Sequence, residues 1–439
     1  MKKTLLKGGV VVSEDSRRKL DVLLAGDKIA EIAENIAGDF DELIDVTGKY
    51  VLPGLIDVHV HLREPGHTHK EDFLSGTEAA VAGGITTVFD MPNTDPPTIN
   101  AQLLDEKYAL ARQKALAHVG LYALAVPKTI DEVLQLKNIV GIKIYLGAST
   151  GGHEEEIAFL EDIFKKAADL GGETKDKVIV VHSEDGACIA AHAKEFGGRD
   201  DPSIHSKIRA KECAVLSTKQ VCHLAKKYNA RVHIAHVSTA EEISIIRKFK
   251  SDRLTCEVTP HHLFLNTEHY RTLGNRLRVN PPVRDKVDEE ALWEGIYDGT
   301  VDMIATDHAP HTLDEKAEDY WNCPSGMPGL ETSLALMLNE VNKEKFSLSD
   351  VVRLMAFNSA KYFDIKNKGR LKVGFDADIC VVDMNNEMKV GENGYYTKCN
   401  WSPFSGWRLK GWPVMTFVSG NRVFKNGKIL LQEPASTIF

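Results

Sequence analysis

Eight short apolar runs mark the middle of the chain, at 55–60, 85–89, 119–125, 140–146, 178–182, 232–237, 254–258 and 301–306. Runs of this length without polar alternation are what parallel strands covered on both faces require. Between most of them the apolar spacing changes to a helical period, at 71–81, 101–117, 155–170, 207–227 and 240–249. Strand and helix alternating eight times predict an α/β fold, a (β/α)8 barrel rather than an open sheet.

The two ends of the chain read differently. Short strands at 5–12, 21–25 and 28–32 are separated by turns such as Ala25-Gly26-Asp27, and β texture returns at 378–382 and 415–418. Ser419-Gly420-Asn421 and Lys425-Asn426-Gly427 read as hairpin turns. Neither end has enough strands to bury a core alone. The expected arrangement is a small composite β-sandwich domain from residues 1–52 and 368–439, flanking a catalytic barrel at 53–367.

Composition narrows the class. At 43% hydrophobic and 27% charged, the 439 residues are those of an ordinary soluble protein. The net charge of −9 comes without a basic cluster, which argues against nucleic-acid or anionic-membrane partners. No run approaches the ~18 apolar residues of a membrane span, and Lys7 with its flanking glycines breaks the first apolar run, a poor signal peptide. Seven cysteines without a Cys-x-x-Cys suit free thiols in a reducing, cytoplasmic setting.

Barrel chemistry collects at the carboxyl ends of the strands, and the polar residues there are few in kind. The first strand ends in Asp57-Val58-His59-Val60-His61-Leu62-Arg63. Strict alternation puts Asp57, His59 and His61 on one face and Val58, Val60 and Leu62 on the other. The two histidines are then roughly 7 Å apart along the strand, close enough to share an ion. An isolated His-x-His is more often a solvated strand end. Here His182, His236 and Asp307 stand at the ends of three further strands. Such ends converge on one mouth, and a nitrogen and oxygen set suits Zn²⁺. Lys143 interrupts the apolar run at 140–146. A buried ammonium costs several kcal/mol unless it is paired or changed chemically. An internal ion pair is the plain solution. Carboxylation by CO₂ is the sharper one, giving an anionic ligand able to bridge two ions about 3.5–4 Å apart. The charged loop at 311–327, closed by Pro324-Ser325-Gly326, has the character of an active-site loop. Glu257 reads as a supporting group rather than a ligand, and His261 and His262 as structural.

Three stretches carry a family resemblance. They are Asp57 to Arg63 with Glu64-Pro65-Gly66 and Lys70-Glu71-Asp72, Gly83-Gly84-Ile85-Thr86-Thr87-Val88 leading to Met91-Pro92-Asn93-Thr94, and Thr306-Asp307-His308-Ala309-Pro310-His311-Thr312 followed by Gly326-Met327-Pro328-Gly329-Leu330-Glu331-Thr332. With these the chain resembles the dihydroorotases of the amidohydrolase superfamily, on the branch shared with hydantoinases and allantoinases. The resemblance implies two Zn²⁺ ions per chain, bridged by carboxylated Lys143 and a hydroxide. It makes His59 and His61 first-metal ligands, His182 and His236 second-metal ligands, and Asp307 both a first-metal carboxylate and the general base. It assigns Arg63, Asn93 and His311 to a substrate carboxylate and puts Asn280 in a substrate-contact segment. The implied substrate pair is carbamoyl-aspartate and dihydroorotate, and the expected assembly is a homodimer. Residues 147–152 read Gly-Ala-Ser-Thr-Gly-Gly, not the Thr-Asp-Asp-Gly-like segment that supplies a bridging aspartate in many bacterial members. The likeness is therefore to lysine-bridged members. Some of those carry a cysteine where Ala235 stands, which weighs against an extra metal site there. An allantoinase or hydantoinase, a single-metal deaminase and a non-catalytic scaffold are the competing readings.

Overall fold

In the computed structural model, residues 1–147, 154–430, 434, 435, 437 and 438 are described. The amino-terminal strands are β1 (Lys3–Val12), β2 (Arg17–Ala25), β3 (Lys28–Ala33), β4 (Glu42–Asp45) and β5 (Tyr50–Pro53). Eight barrel strands follow: β6 (Leu55–Val60), β7 (Ile85–Asp90), β8 (His118–Leu124), β9 (Gly141–Leu146), β10 (Ile179–Ser183), β11 (Val232–Ile234), β12 (Leu254–Val258) and β13 (Met303–Ile304). The chain ends in β14 (Ile379–Lys389), β15 (Arg408–Val418), β16 (Asn421–Lys425) and β17 (Lys428–Ile429).

β6 to β13 form one eight-stranded parallel sheet in sequence order. Its ends meet through a parallel bridge between Val60 and His308, where the His61 amide donates to the His308 carbonyl at 2.7 Å. Below that bridge the Asp57 carboxylate accepts the Thr306 amide at 3.2 Å and the His59 amide at 3.0 Å. A side chain thus replaces ladder bonds where the barrel closes, and the last strand is much shorter than its apolar run.

The alternation expected along β6 does not hold. Asp57 pairs with Val88 but Val60 pairs with Asp90, so one extra residue lies on β6, the signature of a bulge. Val58 consequently packs with Ile56, Phe89 and Tyr122, while Val60 and Leu62 join the larger cluster formed with the surrounding helices. The helix expected across 207–227 is also broken. Lys211–Tyr228 is one helix, His205–Ile208 a separate turn, and Arg209 between them leaves helical geometry with ψ 61°. The helix Ala240–Phe249 matches its pattern because Thr239 and Glu242 close a capping box at its start.

The nine terminal strands hydrogen-bond into one continuous sheet around an apolar cluster that includes Leu6, Val22, Ile44, Val51, Ile379 and Phe417. β14 lies antiparallel to β5, joining the two ends of the chain. The hairpin at Asn426-Gly427 has both residues in the left-handed region, at φ 46° and 76°, as a two-residue turn of matching twist requires. The sheet is fastened to the barrel by Asp378, which accepts from Lys368 Nζ at 2.5 Å and lies 3.2 Å from His118 Nε2. Five cysteines are free and buried, but Cys188 and Cys213 are disulfide-bonded. This departs from the expectation of free thiols; the helix breaks bring residues 25 apart in sequence to a Cα separation of 5.4 Å, which no local spacing announces.

Candidate active site

The carboxyl ends of the barrel strands surround a cavity lined by His59, His61, Arg63, Asn93, Tyr145, His182, His236, Asn280 and Asp307, with Ala309, Ser325 and Gly326 from the loop after β13. Three of these residues, Arg63, His236 and Asp307, sit just past strand ends at φ 63°, 38° and 45°. Such conformations cost about 1–3 kcal/mol each and persist where the surroundings impose them.

The histidines and Asp307 converge. Asp307 Oδ1 lies 3.2 Å from His59 Nε2 and 3.1 Å from His61 Nε2. His59, His236 and Asp307 each present a donor atom within 4.8 Å of the other two. His182 Nδ1 lies 2.9 Å from His236 Nε2. Burial would raise the Asp307 carboxyl, but His59 and His61 hold it well below the ordinary carboxylate range. Burial depresses His61 to about 4, so its ring is a neutral ligand-type nitrogen at neutral pH.

Lys143, on β9, is fully buried, and its Nζ has no hydrogen-bond partner among the described residues. Burial lowers its amine to about 8, with Glu257 and Asp307 opposing. His236 Nδ1 is buried and equally unpartnered. The segment 147–152 bears on the bridging reading, but beyond Gly147 it lies outside the described residues.

Neighbouring groups orient these side chains. Glu257 on β12 lies 2.5 Å from His59 Nδ1 and 2.9 Å from His233 Nε2, and it accepts the His236 amide at 3.2 Å. Asn93 Oδ1 accepts from His61 Nδ1 at 2.8 Å. Sequence reasoning passed over Glu184, Arg209 and Tyr145. Glu184 Oε2 lies 3.0 Å from His182 Nε2 and accepts Arg209 Nε at 2.9 Å. Burial would raise Glu184, but Arg209 and His182 hold it far below its usual range. The spacing was a usable signal, since Glu184 follows His182, and Tyr145 follows Lys143, by two positions.

On the opposite wall Arg63 donates through Nε to the Pro310 carbonyl at 3.1 Å, with Nη2 3.0 Å from His311 Nε2. His311 is fully buried and lies against Arg63 rather than on the cavity wall. Lys70 Nζ donates to His311 Nδ1 at 3.1 Å. Burial and the Arg63 charge keep the His311 ring well below its usual value. Asn280 lines the cavity with its Oδ1 3.0 Å from His205 Nε2. His262 bonds to Thr259 and to the Pro281 carbonyl, as a structural histidine does.

A sequence profile of the amidohydrolase family matches residues 50–423. The chain belongs to the amidohydrolase family. Within that family it is similar to proteins named dihydroorotase. The one from Methanothermobacter thermautotrophicus is 36% identical over 394 residues, covering 89% of this chain and 88% of the relative. That of Halobacterium salinarum is 36% identical over 93% and 94% of the two chains, and that of Anoxybacillus flavithermus 37% over 93% and 95%. Among solved structures, this amidohydrolase superposes on the L-hydantoinase (dihydropyrimidinase) of Arthrobacter aurescens with a TM-score of 0.93 at 31% identity, covering 98% of both chains. A D-hydantoinase gives 0.90 at 26%, over 99% of this chain and 97% of that one. The barrel and its two-ended sheet are therefore those of this family.

Proposed function

We propose that this amidohydrolase is a dihydroorotase, reversibly cyclising N-carbamoyl-L-aspartate to L-dihydroorotate with loss of water, a step of pyrimidine biosynthesis. The observation that carries the reading is Arg63, a guanidinium on the wall of the cavity that holds the histidine and Asp307 cluster. Its planar fork can bind both oxygens of a substrate carboxylate. Hydantoin and allantoin rings offer none at that place. The dihydroorotase-named relatives support the same substrate.

The donor set fits two zinc ions. His59, His61 and Asp307 would hold one and His182 and His236 the other, with carboxylated Lys143 between them. The buried Lys143 Nζ, unpartnered among the described residues, is an atom such a centre would engage, and His182 Nδ1 and His236 Nε2 already converge to 2.9 Å. Ions bound there would supply Lewis acidity at the ring carbonyl and lower the pKa of a nucleophilic water.

The chain's own groups do the rest. Asp307, held anionic, accepts the proton of the attacking water and returns it to the leaving ring nitrogen. Arg63 and Asn93 fix the substrate carboxylate, His311 positions Arg63, and Asn280 faces the substrate from the segment held by His205. In the biosynthetic direction Asp307 takes the carbamoyl nitrogen's proton as the ring closes. Glu257 and Glu184 orient the ligand rings, as carboxylates do behind metal-bound imidazoles. We assign the composite domain to 1–52 and 368–439 and the barrel to 53–367. A homodimer in the cytoplasm is the assembly and setting we propose on the family resemblance.

A hydantoinase-type enzyme is the second reading, favoured by the 31% identity to the L-hydantoinase structure. Zinc-loaded protein assayed with dihydroorotate, hydantoin and allantoin separates the two. Turnover of dihydroorotate far above the others is expected; turnover of a hydantoin or allantoin alone would overturn the assignment.

A further inference from the structure

β10, which carries His182, runs through Glu184 and Asp185 directly into the helix Gly186–Glu195. That helix holds Cys188 and His192, one turn apart. The facing helix Lys211–Tyr228 carries Glu212 and Cys213 in its first turn. Cys188, His192 and Cys213 each offer a donor atom within 4.8 Å of the other two. Glu212 Oε1 lies 3.0 Å from His192 Nε2. Cys188 is partly buried and Cys213 fully buried, while the His192 and Glu212 side chains are 28% and 58% exposed, so an ion would reach the cluster from the side of His192 and Glu212. None of these residues belongs to the catalytic cavity.

We propose that the Cys188–Cys213 pair is a disulfide in one state and half of a zinc site in another. A small dithiol delivers two electrons and two protons to the disulfide and is itself oxidised, leaving two thiols. A Zn²⁺ ion then displaces both thiol protons and takes two thiolates and the His192 imidazole, with Glu212 or water as fourth ligand. Two thiolates, an imidazole and a carboxylate are a tetrahedral zinc set, with Zn–S near 2.3 Å and Zn–N near 2.0–2.1 Å. In that geometry donor atoms stand roughly 3.3–3.8 Å apart, within the spread of this cluster. The helix turn places Cys188 and His192 on one face, and Cys213 faces them because the Asp185 amide bonds to its carbonyl at 2.9 Å. Either cross-link would tether the helix that follows β10 and Glu184 to the segment bearing Arg209.

Cobalt reads this site apart from the catalytic one, which has no thiol among its proposed ligands. The full-length chain is treated with a dithiol, freed of it under argon and titrated with Co²⁺. A near-ultraviolet thiolate-to-cobalt band should grow to one ion per chain, vanish in C188S and C213S, and be absent before reduction. In H192A, a change at a partly exposed position, the band should move to higher cobalt concentration. Thiols are counted in the denatured protein alongside. A count that stays at five after reduction, no band when all seven titrate, or a band that survives in C188S each overturns the proposal.

Discussion

Arg63, Lys143 and Glu257 do three separate jobs around one cavity, and each can be tested alone. Removing the Arg63 guanidinium deletes charge-assisted hydrogen bonds worth about 1.5–3 kcal/mol. R63A should therefore raise KM for dihydroorotate roughly 10- to 150-fold, with a far smaller effect on any neutral cyclic amide the enzyme accepts. Equal losses on both substrates would deny the carboxylate contact. K143A should lose both bound metal and activity, and a short carboxylic acid should restore part of each, because it supplies the missing oxygens. Metal analysis with and without the acid checks it. E257Q keeps the shape but weakens the anchor on His59 and His233. Loss of such a supporting carboxylate costs about 10- to 100-fold in metal affinity or activity, measurable by chelator competition. These roles differ in how legible they were. His59, His61, Lys143, His182, His236 and Asp307 stand out because each is a polar residue within or at the end of an apolar run. Glu184 shows only through its two-residue spacing from His182, and Arg209 does not show at all, because its meaning depends on a helix break that brings it to Glu184.

At the level of elements, β14 is fastened to the barrel through Asp378. Burial would raise this carboxyl, but His118 and Lys368 hold it far below its ordinary range. The folded pKa is thus lower than the unfolded value of about 3.9. Its stabilisation is fully present above that value and is lost as pH falls through the folded pKa. D378N should cost about 1.5–3 kcal/mol, since it removes a charged acceptor from Lys368 and His118 while Lys368 keeps Asp376 at 2.9 Å. In urea unfolding the gap between wild type and D378N should be full at pH 7 and narrow progressively below about pH 4; a gap independent of pH would remove the ionic explanation. Strand positions were readable because parallel strands are apolar on both faces. The bulge in β6 was not, because it arises from the register between two strands and from the Asp57 carboxylate standing in for ladder bonds.

For the molecule as a whole, the barrel and the terminal sheet share one interior. Leu52, Cys380, Val418 and Phe424 of the sheet pack in the same apolar cluster as Leu55, Val81 and Leu334 of the barrel layer. Thr416 also donates to the Val81 carbonyl at 2.7 Å. The fragment 53–367 alone should aggregate or elute as a molten, expanded species in gel filtration; a monodisperse, zinc-binding fragment would show the barrel to be self-sufficient. Adding the remaining residues as separate chains should restore solubility if the cut lies where the domains meet. The composite arrangement was legible because each end was too poor in strands to stand alone, whereas the single continuous sheet was not, since strand order is set by pairing partners far apart in sequence. The whole account turns on Lys143 as the bridge between two ions at the barrel mouth. Crystals of the zinc-loaded enzyme, with anomalous data at the zinc edge, examine that directly. The account predicts two anomalous peaks about 3.5–4 Å apart, with forked density continuous with Lys143 Nζ lying between them; a bare amine beside a single peak, in an enzyme that turns over dihydroorotate, would contradict it.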